Sequence, residues 1–198
     1  MRIAIFGSGG VGGYFGGRLA LASNDVMFIA RGEHLKALRA TGLHVESING
    51  DFTVLSVLAT DDPAQAQNVD VVILGVKAWQ VSDAAHAMKP IIGADTFVLP
   101  RQNGVEAFEQ LSAVLGGEHV LGGLCKIVSY VVEPGHIRHA GFEPSVAFGE
   151  WDNHASDRVT ALRETFTQAG VETRVPDDIQ AAVWNKSFSS PASAACAP

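Results

Sequence analysis

The sequence predicts an α/β protein built on a doubly wound, mostly parallel sheet that leads into the start of a C-terminal helical domain. Three observations lead there. Four near-continuous apolar runs, "RIAIF" (2–6), "DVMFIA" (25–30), "DVVILGV" (70–76) and "TFVLP" (96–100), have strand length and are apolar on both sides, as parallel strands buried on both faces must be. Helical spacing fills the gap between the first two runs. Four glycines crowd into positions 7–12, directly behind the first run.

The elements follow in order. Over 11–23, Val11, Phe15, Leu19 and Ala22 fall at helical spacing, and Asn24 is expected to close the helix in the left-handed conformation. Between Leu43 and Leu58 the pattern alternates around "NGD" (49–51), which predicts an antiparallel hairpin inserted into the α/β series. "DDPAQAQN" (61–68) reads as the opening of a short helix, with Asp62 as cap and Pro63 at its first position. The stretch 120–150 is rich in Val, Ile and Tyr, with Pro-Gly at 134–135, and predicts strands. A helix from about Ser156 to Ala169, a strand "VETRV" (171–175) and a helix from Pro176 to about Phe188 complete the pattern.

Composition narrows the function classes. A net charge of −7 argues against a nucleic-acid footprint, which needs clustered Lys and Arg. Two cysteines, Cys125 and Cys196, are too few for a disulfide scaffold or a zinc site and fit a reducing, cytoplasmic setting. No apolar run reaches membrane-spanning length, so no membrane partner is expected. His136 and His139 have ligand spacing, but "PGHIRHAG" reads as a hairpin turn with no acid or cysteine alongside, so no metal is expected.

The glycines carry the first chemical signal. Gly7, Gly9 and Gly12 have G-x-G-x-x-G spacing, after a strand and at the start of a helix. In that setting the first glycine makes the tight turn, the second lets a pyrophosphate approach the backbone, and the third lets helix pack on strand. With Ser8, Gly10 and Val11 they form the expected cofactor turn of a Rossmann-type fold, whose helix N-terminus offers unpaired amides to the phosphates. Gly13, Gly16 and Gly17 are explained by helix packing alone.

Which dinucleotide binds depends on the end of the second strand, where an acid about 20 residues past the glycines selects NAD. Here Arg31 follows Ala30, and a guanidinium fork suits a 2′-phosphate, which favours NADP; Glu33 is the rival, as a ribose ligand. Lys77, Gln102, Asn103 and Gly104 follow later strands at the edge where ligands lie, although a solvated lysine and a turn dipeptide explain the same residues. Lys186 shares a helix face with Ile179, Ala182 and Val183. It either snorkels to water or is held in a cleft, where it can protonate a carbonyl oxygen that gains charge.

With "GSGGVG", Arg31, "VKAWQ", "QNGVEA", "EPGHIRHAG" and "AVWNK" in succession, the chain resembles the ketopantoate reductase family (2-dehydropantoate 2-reductase) over roughly 1–188. The resemblance implies an NADPH-dependent reduction of 2-dehydropantoate, a 2-keto acid, to (R)-pantoate in pantothenate biosynthesis. It makes Gly7, Gly9 and Gly12 the pyrophosphate turn and Arg31 the 2′-phosphate partner. Lys77 and Asn103 take cofactor-side positions, with Asn103 near nicotinamide and substrate, and Lys186 becomes the general acid. Where the family commonly carries a substrate-holding asparagine, four residues past the lysine, this chain has Ser190.

Residues 1–175 are therefore expected to form the NADP-binding domain, and 176–198 the first helix of an incomplete helical substrate domain. A second copy, as a homodimer, would cover the face where such a domain docks. Two further readings stay open: reduction of a related 2-keto acid, and a non-catalytic NADP(H)-binding module.

Overall fold

The computed structural model describes residues 1–102 and 106–189. In chain order the elements are β1 (Arg2–Phe6), α1 (Gly10–Leu21), β2 (Asp25–Ile29), α2 (Gly32–Thr41), β3 (Leu43–Ser47), β4 (Phe52–Val54), β5 (Leu58–Thr60) and β6 (Val71–Leu74). There follow α3 (Val81–Met88), β7 (Phe97–Pro100), α4 (Glu106–Leu115), β8 (Gly122–Glu133), β9 (His136–Gly149), α5 (Asp157–Gln168), β10 (Glu172–Arg174) and α6 (Ile179–Ser189).

The apolar runs become one parallel sheet in the order β5-β2-β1-β6-β7. Because its inner strands are covered on both sides, alternate residues enter two cores. Ile3, Ile5, Val71, Ile73, Phe97 and Leu99 pack with Phe15 and Leu19 of α1. Ala4, Phe6, Val72, Leu74 and Val98 pack with Ala85 and Met88 of α3 and Leu111 of α4. The chain runs outward from β1 through β2 to β5 and then returns to β6 beside β1, so the strand order reverses between β1 and β6. In an open α/β sheet that reversal opens a crevice beyond the carboxyl ends of the two strands.

A second sheet runs β10-β9-β3-β4, with β8 along the other edge of β9. The long β8–β9 hairpin turns at 134–135, where Gly135 has φ +77°. Helix α1 lies between the sheets, and two of its glycines show why side chains are excluded there. A Cβ on Gly16 would meet Phe28 at 2.6 Å on the first sheet, and one on Gly17 would meet Phe52 at 2.9 Å on the second.

Several expectations change. The alternating stretch 43–58 contains the hairpin, β3 with β4, but Leu58 begins β5, which joins the parallel sheet beside β2. Ser23, not Asn24, takes the left-handed conformation after α1 (φ +63°), while the Asn24 amide donates to the Leu19 carbonyl. The helix opening at Asp62 is a single 3₁₀ turn, Pro63–Gln65, with Asp62 Oδ1 accepting from the Ala64 amide as expected. The last helix begins at Ile179 rather than Pro176. Finally, His136 does have an acid alongside: β3 pairs with β9, and Glu46 Oε1 lies 2.9 Å from His136 Nε2. His139 is a satisfied core histidine, with Ser47 Oγ at Nδ1 and the Phe142 carbonyl at Nε2.

Candidate active site

The glycine turn sits at the strand-order reversal. Gly7 takes φ +94°, open to glycine at no cost, and a Cβ there would lie 2.8 Å from Val76. A Cβ on Gly12 would collide with the Gly7 carbonyl. These two positions are closed by the protein itself. Gly9 is different: its φ is −66°, which any residue adopts, and a Cβ there would meet no atom of the described residues within 4 Å. Nothing in the fold explains that glycine, whereas a ligand approaching the backbone does.

Two further observations fit an anionic group at this turn. No side chain caps α1 and no acid lies in its first turn, so the positive end of the helix is unopposed. The Ser8 hydroxyl is buried without a hydrogen-bond partner among the described residues. A cavity of about 460 Å³ opens over the turn, lined among others by Gly7, Gly9, Ala30, Arg31, His34 and Lys77. A smaller one of about 290 Å³ shares Gly9 and Lys77 and continues toward Arg101 and Gln102. The residues present therefore fit a dinucleotide: helix amides and Ser8 for the pyrophosphate, with Arg31 and Lys77 as cations on the wall.

Arg31 lines the cavity, whereas the Glu33 carboxylate pairs with Lys36 at 2.7 Å on the exposed side of α2. Gln102 acts as a brace: its amide donates to the Leu74 and Val76 carbonyls, and its oxygen accepts from the Arg101 amide.

Sequence reasoning passed over His34. Its Nδ1 accepts from the Gly135 amide at 3.1 Å, so the proton is on Nε2, which donates to the Ser8 carbonyl at 2.8 Å. Burial pushes its pKa down and favours the neutral ring, against the bond it donates to the Ser8 carbonyl, which pulls the other way. This one side chain ties α2 to the glycine turn and to the tip of the β8–β9 hairpin.

Lys186 stands on a separate wall. Ile179 and Val183 of α6 are buried, while Ala182 and Lys186 face a cavity of about 920 Å³ with Val11, Arg101, Cys125 and Lys126. The helix is anchored by the Ile179 amide donating to Asn153 Oδ1 and by Gln180 donating to the Trp151 carbonyl. Lys186 Nζ donates to the Cys125 carbonyl, and burial lowers its pKa.

Arg101 is the unforeseen residue. It is 5% exposed, stacks over Phe15 at 4.9 Å, and donates from Nη1 to the Val11 carbonyl at 3.4 Å. Its Nε and Nη2 have no partner among the described residues, and burial lowers its pKa to about 10. With Val11 it lines both the 290 Å³ and the 920 Å³ cavities, so the glycine-turn side and the lysine side share this wall. Asn103 and Ser190 lie outside the described residues.

Residues 3–153 match the model of the ketopantoate reductase PanE/ApbA family. The chain belongs to this family. It is 33% identical over 190 residues to the 2-dehydropantoate 2-reductase of Nostoc sp., covering 93% of this chain and 59% of that one. It is 35% identical to the oxidoreductase YkpB of Bacillus subtilis, covering 94% and 61%. The crystal structure of 2-dehydropantoate 2-reductase from Geobacter metallireducens aligns with a TM-score of 0.88 and 35% identity, over 94% of this chain and 61% of that one. The chain thus spans about 60% of the length of these ketopantoate reductase relatives.

Within the ketopantoate reductase fold, Gly7, Ser8, Gly9, Arg31 and Lys77 come together on one cavity. Gly10 and Val11 join them through the second cavity. Lys186 is set apart from this group, across the wall made by Val11 and Arg101. No helix among the described residues is long and apolar enough to cross a membrane.

Proposed function

We propose that the protein binds NADPH along the glycine turn and reduces the ketone of 2-dehydropantoate to (R)-pantoate, with Lys186 as general acid. The observation that carries this reading is the wall of Val11 and Arg101 common to the cofactor-side and lysine-side cavities, since reduction of a ketone needs both sides to meet at one carbon. NADPH, when bound, supplies the hydride. The protein supplies the rest. The amides of α1 and the Ser8 hydroxyl hold the pyrophosphate, and Arg31 pairs with the 2′-phosphate. Lys186 stabilises the alkoxide as it forms and gives it a proton. An ammonium has three N–H donors, so the bond to the Cys125 carbonyl orients it toward the cavity without consuming its capacity.

Charge in the cavity suits a carboxylate-bearing substrate: Arg101, Lys126, Arg174 and Lys186 line it against Glu143 and Glu172. The test is consumption of NADPH, followed by absorbance, with 2-dehydropantoate and a panel of other 2-keto acids, for the wild type and Lys186→Ala. Turnover lowered about 100-fold or more by the substitution supports the reading. Turnover of a different 2-keto acid alone reassigns the substrate. NADPH binding without turnover of any 2-keto acid leaves a binding module.

A further inference from the structure

A second group of chemistry-bearing side chains lies on the β3–β9 ladder, and none of its members lines the cavities described above. The two strands run parallel in a register that sets His44 opposite His136 and Glu46 opposite Arg138. Alternate residues of a strand share a face, so His44, Glu46 and His136 converge on one side of the sheet. One ring nitrogen of each histidine and one Glu46 oxygen lie within 4.8 Å of one another. The two imidazoles stand 4.7 Å apart between centroids.

Two features distinguish this group from an ordinary surface ion pair. His136 Nε2 is 2.9 Å from Glu46 Oε1, yet it is sealed from water and makes no hydrogen bond of acceptable geometry. Nitrogen and oxygen meet there at 2.9 Å in a position closed to water, where one ion can take the place of a shared proton. In addition, each of the three side chains is held from behind. His44 Nδ1 lies 2.9 Å from Thr53 Oγ1, His136 Nδ1 lies 3.6 Å from a Glu133 oxygen, and Glu46 Oε2 accepts from Arg138 Nε at 2.5 Å. Metal-binding histidines and carboxylates are fixed by such outer partners, which set tautomer and orientation.

We propose that His44, Glu46 and His136 form a binding site for one zinc-class divalent cation, with water in the fourth position. Two imidazoles and one carboxylate suit zinc and its borderline-soft neighbours and do not suit calcium or magnesium, which take oxygen ligands. Tetrahedral zinc places its ligands about 3.3 Å apart, so closing the site takes side-chain movement on the order of 1 Å. Exposed His44 and half-buried Glu46 have room for it. The charge of Arg138 beside Glu46 opposes a cation and sets the affinity in the micromolar rather than the nanomolar range. Because the His44 amide donates to the Gly135 carbonyl and the Gly135 amide donates to His34, an ion here clamps the hairpin tip to the elements that hold the glycine turn.

The experiment is titration of the chelator-stripped, full-length protein with zinc sulfate against a chromophoric zinc indicator, with cobalt(II) as a visible-absorption probe of the same ligands. One zinc per chain is expected at micromolar free metal, and tetrahedral cobalt bands on cobalt addition. His44→Ala, His136→Ala and Glu46→Gln should each weaken binding at least tenfold. His86→Ala, on the exposed face of α3, should leave it unchanged. Equal melting temperatures of the metal-free variants show that the ladder is intact, and Glu46→Gln keeps the test available if a histidine variant misfolds. Absence of stoichiometric zinc binding, or binding indifferent to these three substitutions, overturns the proposal. Neither result depends on NADPH or on turnover.

Discussion

Lys186 donates a hydrogen bond to the backbone carbonyl of Cys125, the residue whose thiol donates in turn to the Arg101 carbonyl at 3.6 Å. The ammonium of α6 and the backbone of Arg101, just past β7, are thereby tied to one point on β8. Burial lowers the Lys186 pKa below the ordinary lysine value. A general acid must be protonated to act, so kcat should fall as pH rises through this lowered value. Lys186→Arg should move that limb to higher pH, and Lys186→Ala should remove it; a profile unaffected by either substitution would exclude the lysine as the acid. Stability runs the other way. The unfolded chain holds the lysine proton to higher pH than the folded one does, so this group's contribution to stability rises between the lowered pKa and the ordinary value.

Arg101 carries a buried charge with two nitrogens unpartnered. An apolar chain of similar length removes the desolvation cost of a buried charge with two unsatisfied nitrogens, which offsets the lost bond to the Val11 carbonyl and the stack on Phe15. Arg101→Met should therefore melt no lower than the wild type without ligand, while kcat/KM for an anionic 2-keto acid falls about tenfold or more, as expected for loss of a charged hydrogen-bonding group. Thermal melts and steady-state kinetics of one preparation check both halves. A variant that melts lower and keeps its kcat/KM would show that the guanidinium serves the fold instead.

In the proposed reading, cofactor choice rests on Arg31. Hydrogen bonds to charged groups contribute about 1.5–3 kcal/mol, so Arg31→Ala should weaken NADPH roughly 10- to 100-fold and NADH far less. Glu33→Ala should change neither much, because that carboxylate is engaged with Lys36 in an exposed pair. Equal losses for both cofactors on removing Arg31 would remove its 2′-phosphate role.

Much of this was legible in the sequence for a physical reason. Val71–Leu74 is buried at every residue, and such strands leave unbroken apolar runs. β5 escaped notice because an edge strand of three residues leaves Leu58 more than half exposed and writes no run. The second sheet joins β3 to β9, about ninety positions apart, and no local pattern encodes that register. The same long-range pairing hid Glu46 from His136. In the site, the glycines and Lys186 stood out because each breaks a local rule, glycine in an element and charge on an apolar face. Arg101 and His34 looked like ordinary charged and polar residues after a strand and on a helix. Only their burial and partners mark them.

The glycine turn as a cofactor cradle is tested most directly by comparing Gly9→Ala with Gly12→Ala in calorimetric titrations with NADPH, alongside melting curves. A Cβ at position 9 meets no atom of the described residues, whereas one at position 12 strikes the Gly7 carbonyl. Gly9→Ala should melt with the wild type and bind NADPH at least about tenfold more weakly, because the methyl occupies space the pyrophosphate needs; Gly12→Ala should lose stability. NADPH binding by Gly9→Ala as tight as that of the wild type, or no binding by the wild type at millimolar NADPH, would contradict it.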